Sequence, residues 1–250
     1  MIVNIIILAS NPFFDAYIQS DFLGKLIFIG LIALSVVSWA VLIHKVLMTV
    51  RARQYSLQFN KIFQLEKFNP LALECEDELS RKKSNPFLNL YLALKQHSFE
   101  ILNKNRRFAQ SEPEIGREEA NVYLSVEDLH FIAAHLQTAA ALQIKHLEKN
   151  LFILSTVVSL APFLGLLGTV WGILTTFAAL QSQSMGSSHQ LVLSGLSLAL
   201  ATTVLGLVDA IPALIGYNYL KNTIRDFETE MQGFSTEILA SVELRYRKVD

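Results

Sequence analysis

The sequence predicts an all-α membrane protein with three transmembrane helices, the second and third of them long and continuing into a helical cytoplasmic domain. Three observations carry this. The 250 residues have a mean hydropathy of +0.37 and only 17% charged residues, well below the quarter that an ordinary soluble domain carries. Three runs almost free of charge, Leu26 to Ile43, Leu151 to Leu180 and Leu191 to Leu220, reach or exceed the roughly 20 residues that span a bilayer. The charges are segregated: 28 of the 43 Asp, Glu, Lys and Arg residues lie between His44 and Asn150.

The N-terminal stretch MIVNIIILASNPFFD has no Lys or Arg ahead of its apolar residues, so a short external or interfacial segment over 1–21 is expected rather than a cleaved signal peptide. The first transmembrane helix is placed at 22–45. Lys45, Arg51 and Arg53 follow it, Lys145 and Lys149 precede the second span at 151–180, and Lys221 and Arg225 follow the third at 191–220. The hairpin QSQSMGSSHQ, 181–190, has no basic residue. Basic residues stay cytoplasmic, so the N-terminus and hairpin face out and the C-terminus faces in. Lys25 alone dissents.

The segment 46–150 shows no alternating strand pattern. Helix starts are read at Asn69–Pro70, at Asn85–Pro86 and in SVED from Ser125, because Asn or Ser caps a helix and Pro suits its first turn. From there Leu129, Ile132, Leu136, Ala140, Leu147, Leu151 and Leu154 recur at mostly three and four. With no Gly or Pro before Pro162, one helix is expected to run from the cytoplasm into the second span. Ile101 to Ala120 is the most polar stretch and reads as a loop or loose helical link. In the tail, 221–250, Ile224, Phe227, Met231, Phe234, Ile238 and Val242 share one helix face.

Both long spans carry a stripe of small and polar residues. On the second, Ser155, Ser159, Pro162, Thr169 and Thr176 are flanked by Gly165 and Gly172, and Gly168 and Gly172 have the GxxxG spacing that brings helices close. On the third, Gly195, Ala199, Thr202, Gly206, Asp209, Ala213 and Gly216 step by four and three. Asp209 is the one charge in that span. A carboxylate near the middle of a bilayer costs about 2.5–3.5 kcal/mol on insertion scales, so it is expected to face protein or water, or to reach interfacial water. Gly165, Gly168, Gly172, Gly206 and Pro212 are read as helix-packing positions.

APFLGLLGTVWGILTTF, Ala161 to Phe177, followed by GLSLALATTVLGLVDAIPALIGYN, Gly195 to Asn218, resembles the ExbB/TolQ proteins, with the flagellar stator protein MotA more distantly similar. The resemblance rests on AP-x-LGLLGTVWG, on T-x-x-GL from Thr203, on AIPA from Ala210 and on Tyr217–Asn218; the middle and tail match only in type. It implies an inner-membrane subunit, an oligomeric ring that is a homopentamer, and an ExbD- or TolR-like single-span protein in the pore. It also implies a TonB- or TolA-like protein that carries proton-driven motion to the outer membrane. By the same resemblance Thr169 and Thr203 match pore threonines; with Thr176, Thr202 and Asp209 they make up the expected ion path. The family's E-A-L-x-x-T glutamate falls on Leu198 here. Asp209 lies eleven residues on, about 16 Å along a helix axis and within roughly 20° of the same direction, and is the candidate replacement; the opposing reading leaves the protonation site to the partner, with Leu198 only packing.

Other classes fare worse. Ser197 in GLSL and His189 in the hairpin do not make an intramembrane serine protease, no HExxH occurs, and the six histidines show no metal spacing, so neither an enzyme nor a metal or other cofactor is expected. The single cysteine, Cys75, excludes an internal disulfide. A transporter acting alone would show more spans and an internal repeat. A non-conducting scaffold ring for a single-span partner is the alternative function. Membrane lipid is an expected contact and nucleic acid is not.

Overall fold

The computed structural model describes residues 12–73, 85–111, 123–182 and 188–247. The named elements are all α-helices: α1 Pro12–Gln19, α2 Phe22–Leu65, α3 Pro86–Ser111, α4 Val126–Glu148, α5 Leu151–Ser182 and α6 Ser188–Tyr246. The chain divides into a first unit, Met1–His44 with Asn150–Tyr219, and a second, Lys45–Lys149 with Leu220–Asp250. Three helical stretches, Phe22–Leu65, Val126–Ala178 and Gly195–Tyr246, contain a segment apolar enough to cross a membrane. Helices apolar on every side, such as α5 with Phe163, Leu166, Val170 and Phe177 exposed, belong inside a larger apolar medium.

In the first unit Ile27 and Leu31 of α2, Val157 and Ala161 of α5, and Ala210 and Ala213 of α6 form one buried cluster. Ala16, Phe28, Leu198 and Ala201 form another, where Tyr17 meets Phe28 edge to face at 6.0 Å. Asp21 ties the start of α2 to α5. Its Oδ1 accepts from the Gly24 N–H at 2.9 Å and its Oδ2 accepts from Trp171 Nε1 at 2.8 Å.

The second unit is built from the far half of α2, α3, α4 and the tail of α6. Its core is aromatic. Phe59, Phe63, Tyr91 and Phe234 meet at 5.6–6.2 Å between ring centroids, and Phe87 stacks on Phe234 at 4.3 Å. Every tail residue read from the periodicity, from Ile224 to Val242, is buried. So is each of the α4 series, Leu129, Ile132, Leu136, Ala140 and Leu147. Ser125 and Asp128 complete a reciprocal capping box at the start of α4, and Asn85 Oδ1 caps α3 by accepting from the Leu88 N–H at 3.2 Å. At the other end of α4, the buried Lys45 ammonium donates to the Leu147 carbonyl at 3.0 Å. A cation there satisfies a carbonyl left over by the helix and opposes the negative end of its dipole.

Two expectations change, and two are made definite. The helix read through to the second span is broken. Lys149 closes α4 and Asn150 takes φ 69°, in the left-handed region, before α5 starts. Asn adopts that conformation more readily than most residues, so no Gly was needed. Asn69–Pro70 opens turns rather than a helix over the described residues: the Ala72 N–H donates to the Asn69 carbonyl at 3.0 Å, and the Leu73 carbonyl accepts from Tyr91 Oη at 3.3 Å and Lys95 Nζ at 2.9 Å. The polar link at Ile101 is helical through Ser111, anchored by buried Ile101 and by Asn105 Nδ2, which donates to the Tyr123 carbonyl and Asp128 at 3.2 Å each; residues 112–122 lie outside the described part. The third span and the tail are one 59-residue helix that passes through Pro212, in line with a third helix read as long and continuing past its span.

Candidate functional site

The α5–α6 contact is made by residues too small to hold the helices apart. A Cβ on Gly165 would meet the Thr202 carbonyl oxygen at 3.0 Å and the Thr203 Cα at 3.1 Å. A Cβ on Gly172 would meet the Gly195 carbonyl at 2.9 Å, and one on Gly206 the Ala161 carbonyl at 2.6 Å. Gly168 faces the Thr202 side chain, and Gly195 faces Thr176 Oγ1. These are backbone-to-backbone approaches of the kind that let membrane helices pack without a hydrophobic driving force between them.

Hydroxyls bind the same seam. Thr203 Oγ1 of α6 donates to the Gly165 carbonyl of α5 at 3.1 Å. Thr202, fully buried, lies within reach of its own helix at the Ala199 carbonyl, 3.0 Å, and of Gly165 at 3.4 Å. Thr176, also buried, donates to the Gly172 carbonyl at 2.7 Å. Thr176 and Thr202 are therefore enclosed between α5 and α6. Thr169 is half-exposed and donates to the Leu166 carbonyl at 2.6 Å. Among the expected path residues, the structure brings Thr202 and Thr203 together at Gly165.

Farther along α6 the stripe turns from α5 to α2. Gly216 receives the Leu42 side chain, and the half-buried Asp209 faces the Ser35 side chain of α2. Pro212, half-buried, sits between the buried Ala210 and Ala213 without ending the helix. Leu198 is buried against Ala16 and Phe28. Reading the stripe alone missed Ser35, which is one turn from buried Leu31 and Ser38 on a face of α2 that also carries Leu42. No group of three or more His, Cys, Asp or Glu among the described residues is placed to hold a metal.

A model of the MotA/TolQ/ExbB proton channel family matches residues 109–233, half of the chain and the part that holds α5, Gly165 to Gly172, Thr203 and Asp209. The chain belongs to that family. Among its relatives, the biopolymer transport protein ExbB of Pseudomonas putida is 27% identical over 226 residues, covering 90% of this chain and 62% of that protein. The Tol-Pal system protein TolQ of Haemophilus influenzae is 26% identical over 230 residues, 92% of each chain. An ExbB of Helicobacter pylori is 51% identical over 74 residues, which are 30% of this chain and half of that one. The chain thus spans less than two thirds of the Pseudomonas relative and nearly all of the Haemophilus one. Leu198, where the resemblance puts an acid, is packed against Ala16 and Phe28, and the one carboxylate of the third apolar run is Asp209.

Proposed function

We propose that the chain is the proton-channel subunit of an inner-membrane energy-transducing complex, of the ExbB–ExbD–TonB or TolQ–TolR–TolA kind. It forms a ring around a single-span partner and couples the proton motive force to work at the outer membrane. The second unit and both ends of the α4–α5 junction lie on the cytoplasmic side in this reading. The observation that carries it is Asp209: a half-buried carboxylate inside an apolar span, facing Ser35 of α2, in a chain of the proton channel family. A buried acid is costly unless it has a task such as reversible protonation. Thr203 and Thr169 are the hydroxyls placed to serve the path with it, while Thr176 and Thr202 fasten α5 to α6.

The second reading, a non-conducting scaffold ring, is favoured by Leu198, whose apolar packing leaves no acid at the position where the family resemblance puts one. Co-purification in mild detergent followed by proton flux in reconstituted vesicles separates the two. A ring with a single-span partner that conducts, and that stops conducting on Asp209→Asn at unchanged assembly, supports the motor subunit. A ring that holds the partner but passes no protons supports the scaffold.

A further inference from the structure

Outside the spans, α3 and α4 meet through two imidazoles. The rings of His97 and His135 stack with centroids 4.2 Å apart and planes 26° from parallel. Phe131, one turn before His135, presents its edge to both, at 4.4 Å to His135 and 6.3 Å to His97. Glu100 Oε2 lies 3.2 Å from His97 Nδ1. The hydrogen bonds of Gln96 and His97 hold the Glu100 carboxyl below the usual range, so one negative charge stays beside the pair. Among the described residues, the titratable groups against either ring are the other ring and Glu100.

That arrangement suits two states. Neutral rings stack, and a single proton on the pair is balanced by Glu100. A second proton places two like charges face to face, with one carboxylate, Glu100, beside His97. Imidazole takes up protons in the range just below neutrality. We propose that His97 and His135 form a proton-sensitive clasp between α3 and α4 that loosens when the surrounding medium acidifies. The closed clasp holds α4 at its middle, and α4 leads through Lys149 and Asn150 into α5, the second span. On the reading of the chain as a proton-channel subunit, the clasp senses the compartment into which protons are delivered. Its purpose rests on that reading; its opening does not.

The test is hydrogen–deuterium exchange of the full chain in nanodiscs at pH 7.5 and 5.5, corrected for intrinsic exchange, alongside His135→Phe. Phenylalanine keeps a ring in the stack and removes one titrating group. In the unmodified chain, peptides covering residues 89–104 and 128–140 should exchange about fivefold faster at the lower pH, the factor that two unit charges about 4 Å apart give at the dielectric of water. In His135→Phe that rise should vanish. His97→Phe serves as the mirror variant should His135→Phe not fold. An equal rise in the phenylalanine variants, or no rise in the unmodified chain, overturns the clasp. Neither outcome touches the proton-flux test above.

Discussion

Replacing Gly206 with alanine should pry α5 from α6. The added Cβ would lie 2.6 Å from the Ala161 carbonyl oxygen, 3.3 Å from its carbon and 3.3 Å from the Gly165 Cα. All three atoms are backbone, so no side chain can rotate away and the helices themselves must part by several tenths of an ångström. Parting stretches the Thr203–Gly165 hydrogen bond, already 3.1 Å long. Overpacking of this kind costs about 1–3 kcal/mol. For a chain of this size each kcal/mol moves the melting temperature by about 2–4 °C, so a drop of roughly 2–12 °C is expected. Gly30→Ala is the control, since a Cβ there meets nothing within 4 Å and alanine favours the helix. The assay is a thermal melt of the purified chain in one detergent, followed by size-exclusion recovery. A Gly206→Ala protein that melts with the unmodified chain, or a Gly30→Ala protein that falls as far, would refute the seam as the contact that holds the two spans.

Lys45→Met keeps the length of the side chain but leaves the Leu147 carbonyl without its ammonium donor; removing one partner of a buried hydrogen bond costs about 1–3 kcal/mol, read as earlier loss of helical signal in urea. Trp171→Phe removes the donor to Asp21 Oδ2, and a loss of about 1 kcal/mol is expected from a single exposed hydrogen bond; Trp39→Phe, at an exposed tryptophan, should melt with the unmodified chain. Asp209→Asn should abolish partner-dependent proton flux while the ring still assembles, and normal flux in that variant removes Asp209 from the path.

The helical and membrane character was legible because both follow from local chemistry. Apolar runs, Ser125 with Asp128, Asn85 with Pro86 and the tail series from Ile224 to Val242 act within a turn or two of themselves, and the structure uses them as read. The misreadings share a cause. Asn69–Pro70 has the chemistry of a helix start, yet Tyr91 and Lys95, about 20 residues on, claim the Leu73 carbonyl that a helix would need. Lys149–Asn150 has no breaker by composition, yet Asn150 turns left-handed and Lys45, about a hundred residues earlier, caps the last turn before it. In both places a distant side chain competes for a backbone carbonyl, and local propensity loses.

The same limit shaped the candidate site. Periodicity put Gly195, Thr202, Gly206, Asp209 and Gly216 on one face of α6, but a face has no address: nothing in a stripe says which helix it meets. The structure shows that it meets two. Its first half lies against α5, where Gly165, Gly168 and Gly172 allow backbones to touch, and its second half lies against α2, where Leu42 fills the space over Gly216 and Ser35 reaches Asp209. The change of neighbour explains why Thr202 and Asp209, seven residues apart on one stripe, have different fates. Thr202 is sealed by a carbonyl seam that needs only a small hydroxyl. Asp209 lies where the neighbouring helix supplies a serine, so the acid is placed between the first and third spans of one chain rather than beside the Gly165–Thr203 contact. In the proposed reading of Asp209 as part of the proton path, a proton held there acts on the α2–α6 contact and draws the first span into the coupling.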